Sequence, residues 1–224
     1  MKDKLSPKKR EQAALTRFPT PLSSKTPLPK EEKIEKIALH IRSIMEILGL
    51  DVENQSLKKT PERVASMYVN EVFSGLDLDA FPSVALFEQA ADPTQSHQMV
   101  FTRVSLVSFC EHHLVPMIGS ACIAYLPKDK IIGLSKLSRI ARYFAARPQL
   151  QERLTSQIGD SLSTILGHNN VAVCITAKHS CVIARGAKDE SAETTTLYTD
   201  GLFYTSIEHR KEFLDMVYAG VVPE

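Results

Sequence analysis

The chain has 224 residues, 43% of them hydrophobic and 24% charged, with a formal net charge of +1. That is the composition of a globular protein with one sizeable core and an appendage, and no apolar run approaches the ~18 residues of a membrane-spanning helix. The near-zero charge argues against a nucleic-acid coat or a membrane-surface protein, and the N-terminus lacks the apolar stretch of a signal peptide, so a cytoplasmic protein is expected.

Residues 1–28 mix lysine, arginine, serine, threonine and proline with few large apolar side chains. They read as a flexible basic leader, with Lys8-Lys9-Arg10 solvated and no share in the core. Residues 29–94 read as a helical hairpin followed by a connector. Ile34, Ile37, Ala38, Ile41, Ile44, Met45 and Leu48 recur at helical spacing until Gly49. A second helix is expected from Thr60-Pro61-Glu62, with threonine as cap and proline in the first turn, burying Val64, Met67, Tyr68, Val72 and Phe73. From Asp77 to Gln98 no period persists, which predicts a connector.

Residues 95–224 read as the domain that carries the chemistry. Val100, Thr102, Val104, Leu106 and Ser108 alternate with their odd-numbered neighbours, which predicts a strand with one buried face that ends at Cys110. A second strand is expected over about 118–126, entered by a turn at Gly119 or starting just before it, then helices over about 135–146 and 148–166. Val171, Val173 and Ile175 open a third strand whose parity, continued through Ala177, brings His179 and Cys181 to one face. Thr194–Thr199 is a fourth strand, and 207–217 a closing helix. Two strands, two helices and two strands make an α+β core whose open sheet edges call for pairing between subunits.

Of four cysteines, Cys122 and Cys174 read as small core residues, and the set is too sparse for a disulfide scaffold. Cys110-Glu111-His112-His113 and His179-Ser180-Cys181 gather three soft or imidazole donors, Cys110, His113 and Cys181, which favours zinc. With an open fourth position the site is catalytic and the bound water's pKa falls to roughly 7; with His112 or His179 as fourth ligand it is closed and structural. In the open case His112 and His179 are proton-transfer candidates. Glu111 either orients a ligand or pairs with a nearby cation. Lys136, in the first turn of a helix, opposes the helix dipole, a conflict that an anion held by Lys136, Arg139 and the backbone N–H groups would resolve. Glu152, next to Gln151, can accept the paired N–H groups of a guanine edge, and Arg185 adds a cation near the metal ligands.

These motifs, with the segments 132–136, 151–154, 60–64 and 201–203, resemble the zinc-dependent GTP cyclohydrolase I family in order and spacing, from about Lys59 to the end. The resemblance implies the tunnelling fold, assembled as a homodecamer of two stacked pentamers with sites between subunits. It implies GTP as substrate and its conversion with water to 7,8-dihydroneopterin triphosphate and formate, the entry to folate and pterin synthesis. It further implies Zn2+ on Cys110, His113 and Cys181, activating water for attack on C8 of guanine, with His179 and His112 moving protons. Glu152 would anchor the guanine edge with Gln151 nearby, Ser135 would touch sugar or phosphate, and Lys136, Arg139, Arg185 and Arg63 would neutralise the triphosphate.

Some positions depart from the family's usual pattern: Ser66 stands where many relatives carry lysine, Met117-Ile118-Gly119-Ser120 replaces a glycine-lysine turn, and Ile183-Ala184 brings no extra cation before Arg185. Two rival readings are a related purine or pterin enzyme with a different product, and a non-enzymatic module around a closed zinc site. No nucleic-acid or membrane partner is expected.

Overall fold

The structure, a computed structural model of the chain, describes residues 2–4, 6–23, 27–88 and 98–219. In chain order the elements are β1 (Lys2–Lys4), α1 (Pro7–Ala14), α2 (Lys30–Ile47), α3 (Thr60–Met67), β2 (Ala85–Glu88), β3 (Val100–Cys110), β4 (Pro116–Tyr125) and β5 (Lys130–Ile132). They continue with α4 (Leu134–Ala145), β6 (Pro148–Gln149), α5 (Gln151–Leu166), β7 (Val171–His179), α6 (Ser180–Ile183), β8 (Thr194–Thr199), α7 (Leu202–Thr205) and α8 (Ile207–Tyr218). This is a mixed α+β fold. Its main sheet has the order β6-β3-β4-β7-β8, and a smaller sheet has the order β1-β2-β5.

Strand β3 follows its sequence pattern. Val104, Leu106, Ser108 and Cys110 are buried while Arg103, Ser105 and Val107 are exposed, because α4 packs on one face and α8 reaches the other only at the strand's start, near Phe101 and Arg103. Strand β7 is different: Val171, Val173, Ile175 and Ala177 face the helix side, and Ala172 and Cys174 join Phe203, Phe213 and Val217 of α7 and α8 on the other. Both sides are dry there, which explains its nearly continuous apolar run. Cys122 and Cys174 sit opposite one another in the β4–β7 register, each 2% exposed, as core residues.

Gly119 lies within β4, opposite Leu106 and Ala177, and not at a turn. A Cβ there would stand 2.0 Å from the Thr176 carbonyl oxygen and 2.6 Å from Ala177 Cα, so the neighbouring backbone dictates glycine. Overpacking of this kind typically costs about 1–3 kcal/mol, and more where backbone must shift. Gly119→Ala is therefore expected to lower the midpoint of thermal unfolding; an unchanged midpoint would contradict the close approach.

Three further expectations are corrected. The connector contains β2, paired with β5 through Leu86 and Ile132, both buried; four residues are too few for an alternation to stand out. Pro148 does not start a helix, because Pro148 and Gln149 pair in parallel with Phe109 and Cys110 and α5 begins at Gln151. The leader is not free of the core: α1 packs on α5, Ala13 and Ala14 are 0% and 5% exposed, and Arg17 binds Asp160. Small alanines and one well-placed arginine dock this segment without the large apolar residues that composition analysis looks for. α2 and α3 pack together as two neighbouring helices, with Lys59 and not Thr60 in the cap position.

Candidate active site

The end of β3 is built to present a turn. Cys110 donates its N–H to Val115 O at 2.9 Å and accepts from Leu114 N–H at 2.8 Å, so residues 111–114 fold back at once into β4. Leu114 adopts φ +53°, a left-handed conformation that costs a branched residue of order 1–3 kcal/mol and persists only where the surroundings impose it. Here the surroundings are visible: Glu111 N–H donates to Gln149 O at 3.0 Å, and the Glu111 carboxylate pairs with the guanidinium of Arg153. The ion pair is largely shielded, at 21% and 17% exposure, and ties the turn to the start of α5. Glu111 is thus paired with a cation.

Strand β7 stops at His179, and α6 starts at Ser180. This departs from the parity argument, which carried Cys181 along an extended strand. The helical turn instead delivers Cys181 to the β3 turn, and the ligand atoms of Cys110, His113 and Cys181 all lie within 4.8 Å of one another. His113 Nδ1 is 3.8 Å from Cys110 Sγ, and its Nε2 is 2.6 Å from Arg185 Nη1. Burial pushes the Cys181 thiol above its ordinary pKa, with the hydrogen bond and charge of Cys110 adding to the effect.

Two thiols and one imidazole at this spacing suit a tetrahedral, borderline-soft ion. Among the described residues no fourth histidine, cysteine or carboxylate joins the group. His112 is exposed, with its ring at 84° to that of His113, and His179 is engaged elsewhere.

His179 Nε2 is 2.7 Å from Oε1 of Gln151, a side chain only 2% exposed. The amide cannot be turned the other way, because its Nε2 faces the carbonyl oxygens of Ile175 and Thr194 at 3.0 and 2.8 Å, which only accept. His179 must therefore donate from Nε2, and Nδ1 is its basic nitrogen. The side-chain amide of Gln151 is engaged at its oxygen by His179 and at its nitrogen by Ile175, Thr194 and Thr196. No motif spacing could have revealed this, since the partners come from α5, β7 and β8.

Glu152 is exposed on the first turn of α5, beside Gln151. Arg63 is exposed on α3 in a shallow depression shared with Lys58, Lys59 and Ser66, two lysines that sequence reasoning did not single out. Ser135 and Lys136 lie in the first turn of α4, and Arg139 follows in the second. Ala145, at the C-terminal end of α4, accepts from Ser108 Oγ near Cys110, whereas α4 starts beside β5, whose Ile132 bonds Tyr125, the partner of Val100. Twelve helical residues span about 18 Å, and the ten strand steps from Val100 to Cys110 about 33 Å. One chain thus holds the metal donors and the cationic helix start at opposite ends of its sheet.

Residues 37–218 match the sequence model of a family described as GTP cyclohydrolase I. Curated relatives named GTP cyclohydrolase 1 include one from Aeromonas salmonicida, 50% identical over 196 residues, covering 87% of this chain and 88% of the relative. Another, from Tolumonas auensis, is 49% identical over 188 residues, covering 84% and 86%. A third, from Edwardsiella ictaluri, is 48% identical over 199 residues, covering 88% and 89%. With a family match over most of its length and relatives of this similarity carrying one name, the chain belongs to the GTP cyclohydrolase I family.

Proposed function

We propose that the protein is a zinc-dependent GTP cyclohydrolase I that converts GTP and water to 7,8-dihydroneopterin triphosphate and formate, the first step of folate and pterin biosynthesis. The observation that carries this reading is the three-donor group of Cys110, His113 and Cys181, which lacks a fourth protein ligand among the described residues and stands beside an oriented His179 in a chain of this family. Zn2+ held there supplies the Lewis acidity that makes water nucleophilic near neutral pH.

The chain's own residues do the rest. His179, its tautomer set by Gln151, takes a proton at Nδ1 as water adds to C8, and His112 supplies one to the departing ring nitrogen. Glu152 accepts the paired N–H groups on the guanine edge. Arg185 meets the triphosphate near the metal, with Arg63 on α3 as a second cation, while Ser135, Lys136 and Arg139 come from a neighbouring subunit. The placement of α4's start at the end of the helix away from Cys110 supports that last assignment. It also supports assembly into a ring-forming tunnelling fold, as a homodecamer of two pentamers, with residues 95–224 as the catalytic domain and residues 29–94 as the helical domain before it. Among the described residues no helix is long and apolar enough to cross a membrane; the reading places the protein in the cytoplasm, acting on GTP with no nucleic-acid or membrane partner.

Incubating zinc-loaded protein with GTP is expected to release formate and yield a product of the mass of dihydroneopterin triphosphate. Absence of formate would overturn the proposal, and formate with an open-ring product would favour a related purine enzyme.

A further inference from the structure

We propose that residues 7–20 are a clasp that holds the metal-binding turn in place through two buried positioning residues, Gln157 and Gln149. The inference rests on Cys110 being a metal ligand, and it concerns a segment whose composition suggests no fixed role.

The clasp is anchored by Arg17. Its backbone N–H and its guanidinium both bond the Asp160 carboxylate, at 3.2 Å to Oδ2 and at 2.9 and 2.5 Å to Oδ1. Asp160 is 7% exposed and also accepts from Tyr198, whose hydroxyl is pushed up to about 12 by burial and the two nearby aspartates, so it stays a donor. Gln157 lies one helical turn before Asp160 on α5, on the same face. Its Nε2 donates to Phe18 O at 2.7 Å and reaches Thr20 Oγ1 at 3.4 Å. Its Oε1 accepts from Gln149 Nε2 at 2.8 Å, and that nitrogen also donates to Phe144 O at 2.8 Å. Both glutamines are 0% exposed.

Gln149 is the link to the chemistry. Its backbone pairs in parallel with Cys110 and accepts the N–H of Glu111. A continuous run of directional contacts therefore leads from Phe18 in the clasp to the residue on which the turn carrying Cys110 and His113 is hung. Each amide end is assigned by its partner, since Phe18 O and Phe144 O can only accept. Undocking the clasp frees the Gln157 amide to rotate, and Gln149 then loses the fixed acceptor that sets its side chain.

Groups bonded directly to metal ligands typically alter metal affinity by ~10–100-fold, and the low end of that range applies to a relay that reaches Cys110 through Gln149. The test uses the full chain and competes Zn2+ away with a chromophoric chelator, with the absorption bands of the Co2+-loaded protein as a second readout. Arg17→Ala, at an exposed side chain remote from the turn, is expected to weaken metal binding about tenfold and shift the Co2+ bands. Gln157→Leu, which keeps the volume but cuts the relay, is expected to do the same, and the double variant to be no weaker than the worse single one. A lowered melting temperature with unchanged metal affinity and spectrum in Arg17→Ala would overturn the clasp, whatever Gln157→Leu does. Should the unaltered protein bind neither metal, the metal reading falls and the clasp with it; tight binding by all variants removes the clasp alone.

Discussion

Replacing Cys181 with serine will remove bound zinc and formate release from GTP together. In the proposed site three donors would hold the ion, and a hydroxyl is a poor substitute for a thiolate, so the loss of one would leave Cys110 and His113 as a two-point site. Lewis-acid activation contributes several kcal/mol to the transition state, so turnover should fall by roughly 10³-fold or more. Elemental analysis and a formate assay on the same preparation check this; a Cys181→Ser protein that retains zinc and activity would sink the ligand assignment. The pH dependence has a definite sign. Burial raises the Cys181 thiol above its ordinary value, so at neutral pH the metal-free protein holds a proton there that zinc must displace. Zinc affinity therefore rises with pH, by up to about tenfold per unit for each proton displaced, and levels off once the thiol ionises unaided. Chelator competition at pH 6.5 and 7.5 should show the weaker binding at the lower pH.

The second large effect is expected at His179. His179→Ala should retain zinc but lose roughly 10²–10⁴-fold in kcat, the usual range for a positioned proton-transfer group. Gln151→Leu should give a smaller loss in the same parameter, because the imidazole remains but its tautomer and orientation are no longer imposed by the amide held between Ile175 O and Thr194 O. Both variants should leave KM for GTP nearly unchanged, the mark of interactions made in the transition state. A raised KM with unaltered kcat in Gln151→Leu would mean that Gln151 contacts substrate after all, as its place in the motif had suggested.

The chemistry was legible early because it is carried by residue types. Cysteine and histidine in two short motifs narrow the possibilities to a metal site, and a lysine against a helix dipole calls for an anion. The strand leading to Cys110 was legible because α4 covers one face and the other is mostly open from Arg103 onward, which leaves a clean alternation. Where coverage is two-sided, as at β7, the pattern blurs, and the switch from strand to helix at Ser180 left no mark in it. The strand at Ala85–Glu88 and the docked helix at Pro7–Ala14 were equally hidden, since each is short and completed by partners remote in sequence.

By itself, then, the sequence determined the candidate donor atoms and their chemical softness, the order of the main strands and helices, and the family they resemble. Those properties reside in single residues or in local periodicity. Only the tertiary structure decided which way the Gln151 amide points, that Glu111 is paired with Arg153, and that the C-terminal end of α4, rather than its start, packs near Cys110. Such facts depend on which long-range partners a buried polar group finds, and a buried polar group accepts whatever the fold brings within hydrogen-bond reach. The leader shows the same limit most plainly, because beyond the pairing of β1 with β2 its attachment rests on two alanines, one arginine, the Thr20 hydroxyl and a carbonyl oxygen that any residue could have supplied.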